Sequence, residues 1–255
     1  MDIVAHNRTA WDGYARSGES EWTHPVSPEV IEQARNGDWS VILTPNKTVP
    51  ADWFGEIRDR DLLALASGGG QQVPVLAAAG ARVTSFDNSD EQLARDRLVA
   101  ERDGLDLVTV QGDMADLSAF ADDSFDLIVN PASTVFVPEL EPVWRECRRV
   151  LRSGGRLMTG AMNPALFLFD HDDVDKGGPL EVRFALPYCD LDHNPEARIA
   201  KGEALEFSHS LDAQIGGLIR AGFRIIGFYE DDWSDEATRL NRYMPTSFAI
   251  LAEAV

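Results

Sequence analysis

Short apolar runs alternate with amphipathic helical patterns between residues 61 and 162, which is typical of an α/β protein. The runs predict strands that start at residue 61 and cover 82–87, 107–111, 125–130 and 156–162. Between them, helices are predicted over 71–80, from the capping box at 89–92, and along a stripe formed by Leu140, Val143, Trp144, Cys147 and Leu151. The stripe places Cys147 in the core. Such alternation predicts a parallel sheet that binds ligands at the carboxyl ends of its strands.

The two ends of the chain depart from this alternation. Residues 1–20 predict a polar amphipathic helix and residues 21–55 an irregular segment that either packs on the body or forms a lid. Residues 163–205 read as an insertion over the substrate side, and 206–255 as a helix followed by two strands at the sheet edge. We therefore predict one domain over 1–255, with a doubly wound, mostly parallel sheet, a ligand-binding core at 61–162 and an antiparallel C-terminal edge hairpin.

The first predicted strand runs directly into Gly68, Gly69 and Gly70, and the second ends in Asp87. Glycines let a backbone approach a ligand closely, and an acid at the next strand tip can accept hydrogen bonds from ribose hydroxyls. Val73 stands where the dinucleotide fingerprint has its third glycine, and the chain has no P-loop sequence. The loop therefore fits S-adenosylmethionine (SAM), with NAD(P) and a plain βα turn as the alternatives.

The acidic composition restricts the partners. The net charge is −20, from 23 basic and 43 acidic residues. A surface of this charge repels phosphate backbones and anionic lipids, so we expect neither nucleic acid nor a membrane as partner. The chain has only 2 cysteines and neither a secretion signal nor an apolar run long enough to span a bilayer, which predicts a cytoplasmic protein.

Five motifs in this order resemble the class I SAM-dependent methyltransferases, of the small-molecule type related to the ubiquinone and menaquinone C-methyltransferases. They are the glycine-rich loop at 66–70, Asp87, the Gly-Asp-Met at 112–114, the strand at 125–129 and the Arg-Val-Leu-Arg-Ser-Gly-Gly at 149–155. The resemblance covers residues 61–160 well and 208–255 moderately. It implies a Rossmann-like fold, SAM as cofactor and a small-molecule methyl acceptor, and it leaves the oligomeric state open.

The resemblance also implies roles for individual residues. Asp87 would bind the ribose hydroxyls, Asn88 would flank the adenine, and Asp113 would accept from the adenine amino group. The chain departs from the family at Ala64, where an acid is usual, and at Ala66, where glycine is usual. Gln72 or backbone carbonyls would then hold the methionine amino group. The full predicted cofactor set is Ala66, Ser67, Gly68, Gly69, Gly70, Gln72, Asp87, Asn88, Gly112, Asp113, Met114, Asn130 and Pro131.

The acceptor side is less well marked in the sequence. Methyl transfer from a sulfonium depends mainly on alignment, and a general base is needed chiefly for a hydroxyl acceptor. His209 is our first candidate for that base, ahead of His24, His171 and His193, because its helix follows the insertion. Aromatic residues predict an apolar acceptor pocket, with Trp11, Tyr14, Trp22, Phe167 and Tyr188 as its candidate walls.

Two further alternatives and one acidic cluster complete the set of hypotheses. An NAD(P)-dependent oxidoreductase would use the same glycine loop, and a SAM-binding protein without activity would be consistent with the missing acid at Ala64. The acids between residues 170 and 175 could in principle hold a metal through oxygen ligands, but a solvated acidic loop is the more common case. We therefore predict no metal site.

Overall fold

The computed structural model describes residues 1–193, 195–234 and 236–255, without the side chains of Asp172 and Asp175. A seven-stranded sheet in the order β3-β2-β1-β4-β5-β7-β6 forms its centre. The strands are β1 (Asp61–Leu65), β2 (Arg82–Asp87), β3 (Leu107–Gln111), β4 (Phe125–Asn130), β5 (Leu151–Met162), β6 (Phe223–Asp231) and β7 (Ser247–Ala254). Strands β1 to β5 are parallel, and β7 runs antiparallel to both β5 and β6. The predicted fold class is confirmed.

Helices cover both faces of the sheet. They are α1 (Ile3–Ser17), α2 (Pro28–Arg35), α3 (Ala51–Phe54), α4 (Gln72–Ala78), α5 (Asp90–Asp103), α6 (Glu141–Val150), α7 (His171–Asp175), α8 (Pro195–Lys201) and α9 (Gly217–Arg220). A π-helical turn at Asp212–Gly216 precedes α9. None of the helices in the described part of the chain is both long and apolar enough to cross a membrane.

The apolar residues form one layer on each face of the sheet. On β1, Leu62 and Ala64 point into the layer under α2 and α4, whereas Leu63 and Leu65 point into the layer under α6. This alternation follows from the period of two along a strand. Cys147 on α6 is fully buried in the second layer, which confirms its predicted core position.

Two expectations about local structure were wrong. The Ser-Gly-Gly at 153–155 lies inside β5, which begins at Leu151, because α6 already ends at Val150. Gly154 takes a φ of 75° at the irregular start of this strand, a conformation that glycine adopts without strain. The segment 21–55 is also more regular than predicted, since it contains α2 and α3.

The N-terminal segment is bound to the body of the domain along its length. The Asp231 carboxylate at the end of β6 accepts hydrogen bonds from the backbone N–H groups of Asn46 and Lys47, at 2.9 and 2.8 Å. The Leu43 carbonyl accepts from the Ala132 N–H at 3.0 Å and lies so close to Gly160 that a Cβ there would be 1.9 Å from it. Residues 41–47 are thus part of the folded core.

Candidate active site

A cavity of about 1010 Å³ opens at the carboxyl ends of β1, β2, β3 and β4. Its walls come from the glycine-rich loop, the tips of these strands, α1 and the segment that follows β5. The predicted cofactor residues that line it are Ala66, Ser67, Gly68, Gln72, Asp87, Asn88, Gly112, Asp113, Met114 and Pro131. The predicted acceptor residues that line it are Trp11, Tyr14, Trp22 and Phe167. Both sets therefore share one enclosed space.

The glycine-rich loop is shaped by close contacts on both of its sides. The Gly68 N–H donates to Asp87 Oδ2 at 3.0 Å, and an added Cβ at Gly68 would be 2.8 Å from the Gln92 side chain. Gly69 has a φ of 126°, and a Cβ there would be 2.3 Å from the Trp22 carbonyl oxygen. Gly69 and Gly70 therefore pack against other segments of the chain, and the structure does not bring them to the cavity wall.

A buried acid behind the loop, Asp96, was missed by the sequence analysis. Its carboxylate accepts from the Gly70 N–H and from the Ser85 hydroxyl, both at 2.7 Å. Asp96 is completely buried on α5, and burial raises its pKa to about 7. The signal in the sequence was an acid on the same helix face as the buried Gln92 and Val99.

Asp87 is held in a defined orientation at the tip of β2. Its Oδ1 accepts from the Ser89 N–H at 2.9 Å, and its Oδ2 accepts from Gly68. Burial raises the pKa of Asp87 to about 6. Each carboxylate oxygen has a second lone pair, so this side chain can still accept hydrogen bonds from a ligand diol.

Helix α1 is attached directly to the strand tip beside Asp87. The Asn88 side-chain amide donates to the Val4 carbonyl at 2.8 Å and accepts from Arg8 Nε at 3.0 Å. The Ser89 hydroxyl donates to Asp12 at 2.6 Å. Arg8 and Asp12 were not found from the sequence, because nothing local indicates that α1 meets residues some 80 positions away.

The tip of β3 forms another side of the cavity. A Cβ at Gly112 would be 2.2 Å from the ring of Phe86, so only glycine fits there. The Asp113 carboxylate accepts from the Ala115 N–H at 3.0 Å, which fixes the turn. Met114 is 8% exposed and packs in the core layer, with its accessible part on the cavity.

Two buried side-chain oxygens near the glycine-rich loop are placed to bind a polar ligand. Ser67 Oγ and Gln92 Oε1 are buried without a hydrogen-bond partner within the described residues, and both residues line the cavity. Buried polar atoms are almost always paired, so an unpaired set at one wall indicates a ligand. Gln72 Oε1 accepts from the Ile42 N–H at 3.0 Å, which leaves its second lone pair and the amide N–H groups for a ligand.

Three further predicted site residues lie outside the cavity wall. Asn130 is fully buried; its amide donates to the Leu65 carbonyl and to Ser133, and it accepts from Thr159. It joins β1, β4 and β5 with no polar atom left for SAM.

His209 and Tyr188 are likewise occupied elsewhere. His209 is 7% exposed, its Nε2 lies 3.0 Å from the Thr134 carbonyl oxygen, and burial lowers its pKa. These contacts argue against His209 as the general base. The Tyr188 hydroxyl donates to Asp190 at 2.7 Å, and its ring stacks behind Phe167 at a centroid distance of 5.7 Å.

The other candidate histidines are not equivalent. His171 lines the cavity, whereas His24 bonds the Gly18 carbonyl at the surface and His193 stacks on Tyr188. His171 belongs to the acidic cluster at 170–175, of which the Asp172 and Asp175 side chains lie outside the described residues. Among the side chains that are described, no group of three or more His, Cys, Asp or Glu residues could hold a metal ion.

The acceptor end of the cavity has an aromatic wall and a charged wall. Trp11 makes edge-to-face contacts with Tyr14 and Phe136, at centroid distances of 5.3 and 5.2 Å. Arg198, Glu203 and Glu206 also line the cavity, and none of them was singled out from the sequence. Arg198 and Glu203 lie in the segment 163–205 that was predicted only as an insertion, and Glu206 directly follows it; no short motif marks any of the three.

Comparisons with known proteins identify the family of this chain. A methyltransferase-domain family model matches residues 63–159. An uncharacterized methyltransferase of Bacillus subtilis, YbaJ, is 52% identical over 233 residues, which are 90% of this chain and 91% of that protein. The ubiquinone/menaquinone biosynthesis C-methyltransferase UbiE of Paracoccus denitrificans is 38% identical over 116 residues, 44% of this chain and 46% of that protein.

Solved structures agree on the fold. A SAM-dependent methyltransferase of Mesorhizobium loti superposes with a TM-score of 0.61 at 20% identity, over 79% of this chain and 94% of that one. The quinone methyltransferases are only distant relatives, so the resemblance holds for the wider family and not for that branch. The chain belongs to the SAM-dependent methyltransferases, and S-adenosylmethionine is its cofactor.

Proposed function

We propose that this enzyme methylates a small, largely apolar or aromatic acceptor that is enclosed in the cavity described above. The observation that supports this proposal is the continuity of the cavity: the glycine loop and Asp87 line it together with Trp11, Tyr14 and Phe167. A space of about 1010 Å³ is at the upper end of the range for small-molecule sites, which is consistent with a cofactor and an acceptor side by side.

The cofactor end has the groups that the family needs. SAM, when bound, supplies a methyl group on a positively charged sulfur that a nucleophile displaces in line. Asp87 would accept from the ribose hydroxyls, Asp113 from the adenine amino group, and Met114 would pack on the adenine ring. Ser67 and Gln92, whose oxygens are unpaired in the described structure, would contact the methionine part. They would compensate for the acid that Ala64 does not provide.

The cover over the acceptor would come from α1 and the segment 163–205. Helix α1 contributes Trp11 and Tyr14, and the segment contributes Phe167 and Arg198, all of which line the cavity. Such a cover excludes water and holds the acceptor in line with the methyl group. An aromatic ring of the quinone type is one acceptor that these walls would accommodate.

The charge of the protein supports a small acceptor over a macromolecular one. A net charge of −20 disfavours nucleic acid and anionic membranes, and we propose a cytoplasmic location. Family membership favours methyl transfer over NAD(P)-dependent oxidoreduction. The cavity with paired cofactor and acceptor walls favours an active enzyme over an inactive SAM-binding protein.

The test combines binding and turnover. Calorimetry with SAM, S-adenosylhomocysteine, NAD and NADP should show binding of the first two only. Formation of S-adenosylhomocysteine should then be measured with a panel of small aromatic phenols, amines, thiols and quinols, and with RNA and DNA as controls. Turnover with a nucleic acid but with none of the small molecules would refute the proposed acceptor class, while binding of NAD instead of SAM would refute the cofactor.

A further inference from the structure

Glu206 occupies a fixed position on the acceptor side of the cavity. Its backbone N–H donates to Asp190 Oδ2 at 2.7 Å, and its carbonyl accepts from the Asp190 N–H at 3.1 Å. The Leu205 backbone exchanges hydrogen bonds with the Asn7 side chain at 2.8 and 3.0 Å, and the Phe207 N–H donates to Val135 at 2.8 Å. Glu206 is thereby held between α1 and the turn after β4.

The carboxylate of Glu206 makes no close ion pair, although the charge of Arg198 acts on it. Asp190 forms an ion pair with Arg198 at 3.1 Å and accepts from Tyr188. Glu203 lies 3.8 Å from Arg198 and 3.5 Å from Lys201. Among the described residues, the Glu206 side chain has neither a hydrogen-bond partner nor an ion pair, although it lines the cavity. A partly buried carboxylate without a partner is costly unless a ligand supplies one.

We propose that the acceptor carries a basic amine and that Glu206 binds this group and takes a proton from it. This inference rests on the proposed function, because it names the chemical class of the acceptor. The aromatic wall of Trp11, Tyr14 and Phe136 suits the same group, since a cation is attracted to the faces of aromatic rings. The acceptor is therefore expected to be an amine with an apolar body.

The proton balance of this step is simple. An ammonium N–H bond breaks, its proton moves to a Glu206 oxygen, and the electron pair stays on nitrogen. That pair forms the new nitrogen–carbon bond while the sulfur–carbon bond breaks and its electron pair goes to sulfur. The product is an N-methylammonium ion and S-adenosylhomocysteine, and Glu206 returns its proton to water.

The electrostatic environment of Glu206 supports the proton transfer. Burial raises its pKa to about 7, so its carboxylate is a stronger base than an exposed glutamate. Arg198 opposes this increase, and Asp190 and Glu203 add to it. The ionisable groups that face this cluster are Tyr14 on α1, Tyr188, Asp190, Arg198 and Glu203.

The experiment uses three probes of matched shape with the full-length protein. Phenethylamine, 2-phenylethanol and 3-phenylpropionate are titrated by calorimetry in the presence of saturating S-adenosylhomocysteine. Wild type should bind the amine at least about tenfold more tightly than the alcohol and the acid, as expected for a charge-assisted contact. Glu206→Gln should remove this preference and leave the affinity for S-adenosylhomocysteine within about twofold. Glu196→Gln, on the exposed part of α8, is the matched control and should change neither value.

The outcomes separate this inference from the proposed function. Equal binding of all three probes, no binding of any probe, or an unchanged preference in Glu206→Gln would overturn the role of Glu206. Failure of S-adenosylhomocysteine itself to bind would instead refute the proposed function. If phenethylamine is methylated, the wild-type rate should fall below about pH 7, and Glu206→Gln should lack this limb of the profile.

Discussion

The cofactor end and the acceptor end of the cavity are built in different ways. Within the glycine loop of the cofactor end, the hydrogen bonds join residues close in sequence: Gly68 to Asp87 spans 19 residues and Gly70 to Asp96 spans 26. At the acceptor end, Asn7 and Leu205 are 198 residues apart and Tyr14 and Ala204 are 190 apart. The glycine loop, Asp87 and Asp96 therefore belong to one continuous stretch of strands and helices, to which α1 is joined through Asn88 and Ser89. The other end joins segments that are distant in the sequence.

The largest effect is expected from Asp87→Ala, which should weaken SAM binding at the cofactor end. Asp87→Ala removes both acceptors for the ribose diol, and hydrogen bonds to a charged group contribute about 1.5–3 kcal/mol each. The Kd for SAM should rise at least about a hundredfold by calorimetry. The control is Asp90→Ala, which removes the exposed carboxylate of the first residue of α5, close to Asp87 in the sequence. This variant should leave the Kd for SAM unchanged. Equal affinities for wild type and Asp87→Ala would show that the ribose lies elsewhere.

A smaller effect is expected at the acceptor end from Trp11→Ala. Trp11 contacts Tyr14 and Phe136, and an aromatic pair contributes about 0.5–1.5 kcal/mol beyond its buried area. The KM for the acceptor should rise roughly threefold to tenfold, with the Kd for SAM nearly unchanged. Initial-rate kinetics and calorimetry measure the two values. If both constants changed together, the two ends would not be separable in this way.

A third effect concerns stability instead of binding, through the pH dependence of folding at Asp96. Burial raises its pKa to about 7, above the unfolded value of about 3.9, so the native state keeps a proton that the unfolded state releases between these values. The free energy of unfolding contributed by Asp96 therefore falls as pH rises through this window. Asp96→Asn cannot ionise, and its loss of stability between about pH 5 and pH 8 should be smaller, by on the order of 1 kcal/mol per pKa unit.

Urea unfolding at the two pH values measures this difference. The asparagine side chain can still accept from the Gly70 N–H and contact Ser85, so the variant should fold. Asp87, whose pKa is raised to about 6, contributes in the same direction in both proteins. An identical loss of stability in wild type and variant would mean that Asp96 remains ionised throughout the range.

The strands around the cofactor end were predicted well because their signals are local. Period-two and helical patterns located β1 to β4, and glycines mark positions where a side chain would collide, as at Gly112 beside Phe86. The start of β5 was wrong because Ser-Gly-Gly is a typical helix stop and the irregular strand begins before it. The placement of Asn130 could not be predicted, since its partners Leu65 and Thr159 lie on two other strands, β1 and β5.

The charged residues of the acceptor end could not be predicted from the sequence, for a physical reason. The significance of Glu206 arises from charges that pair elsewhere: Asp190 with Arg198, and Glu203 with Lys201. No spacing in the sequence shows which carboxylate is left over. The contact of His209 could not be predicted for the same reason, because the carbonyl that its ring meets belongs to Thr134, 75 residues away.

The contacts between Asp231 and residues 46 and 47 determine the order in which the chain can fold. Asn46 leaves the ribosome early, but the carboxylate that binds it is 185 residues further along and is made near the end of synthesis. Until then Trp22 also lacks Trp233, whose ring packs against it at a centroid distance of 6.2 Å. Contacts between residues that are far apart in the sequence form slowly, and apolar segments that stay exposed until then are prone to aggregate. The nascent chain is therefore expected to depend on protection by chaperones more than the isolated strand–helix core would.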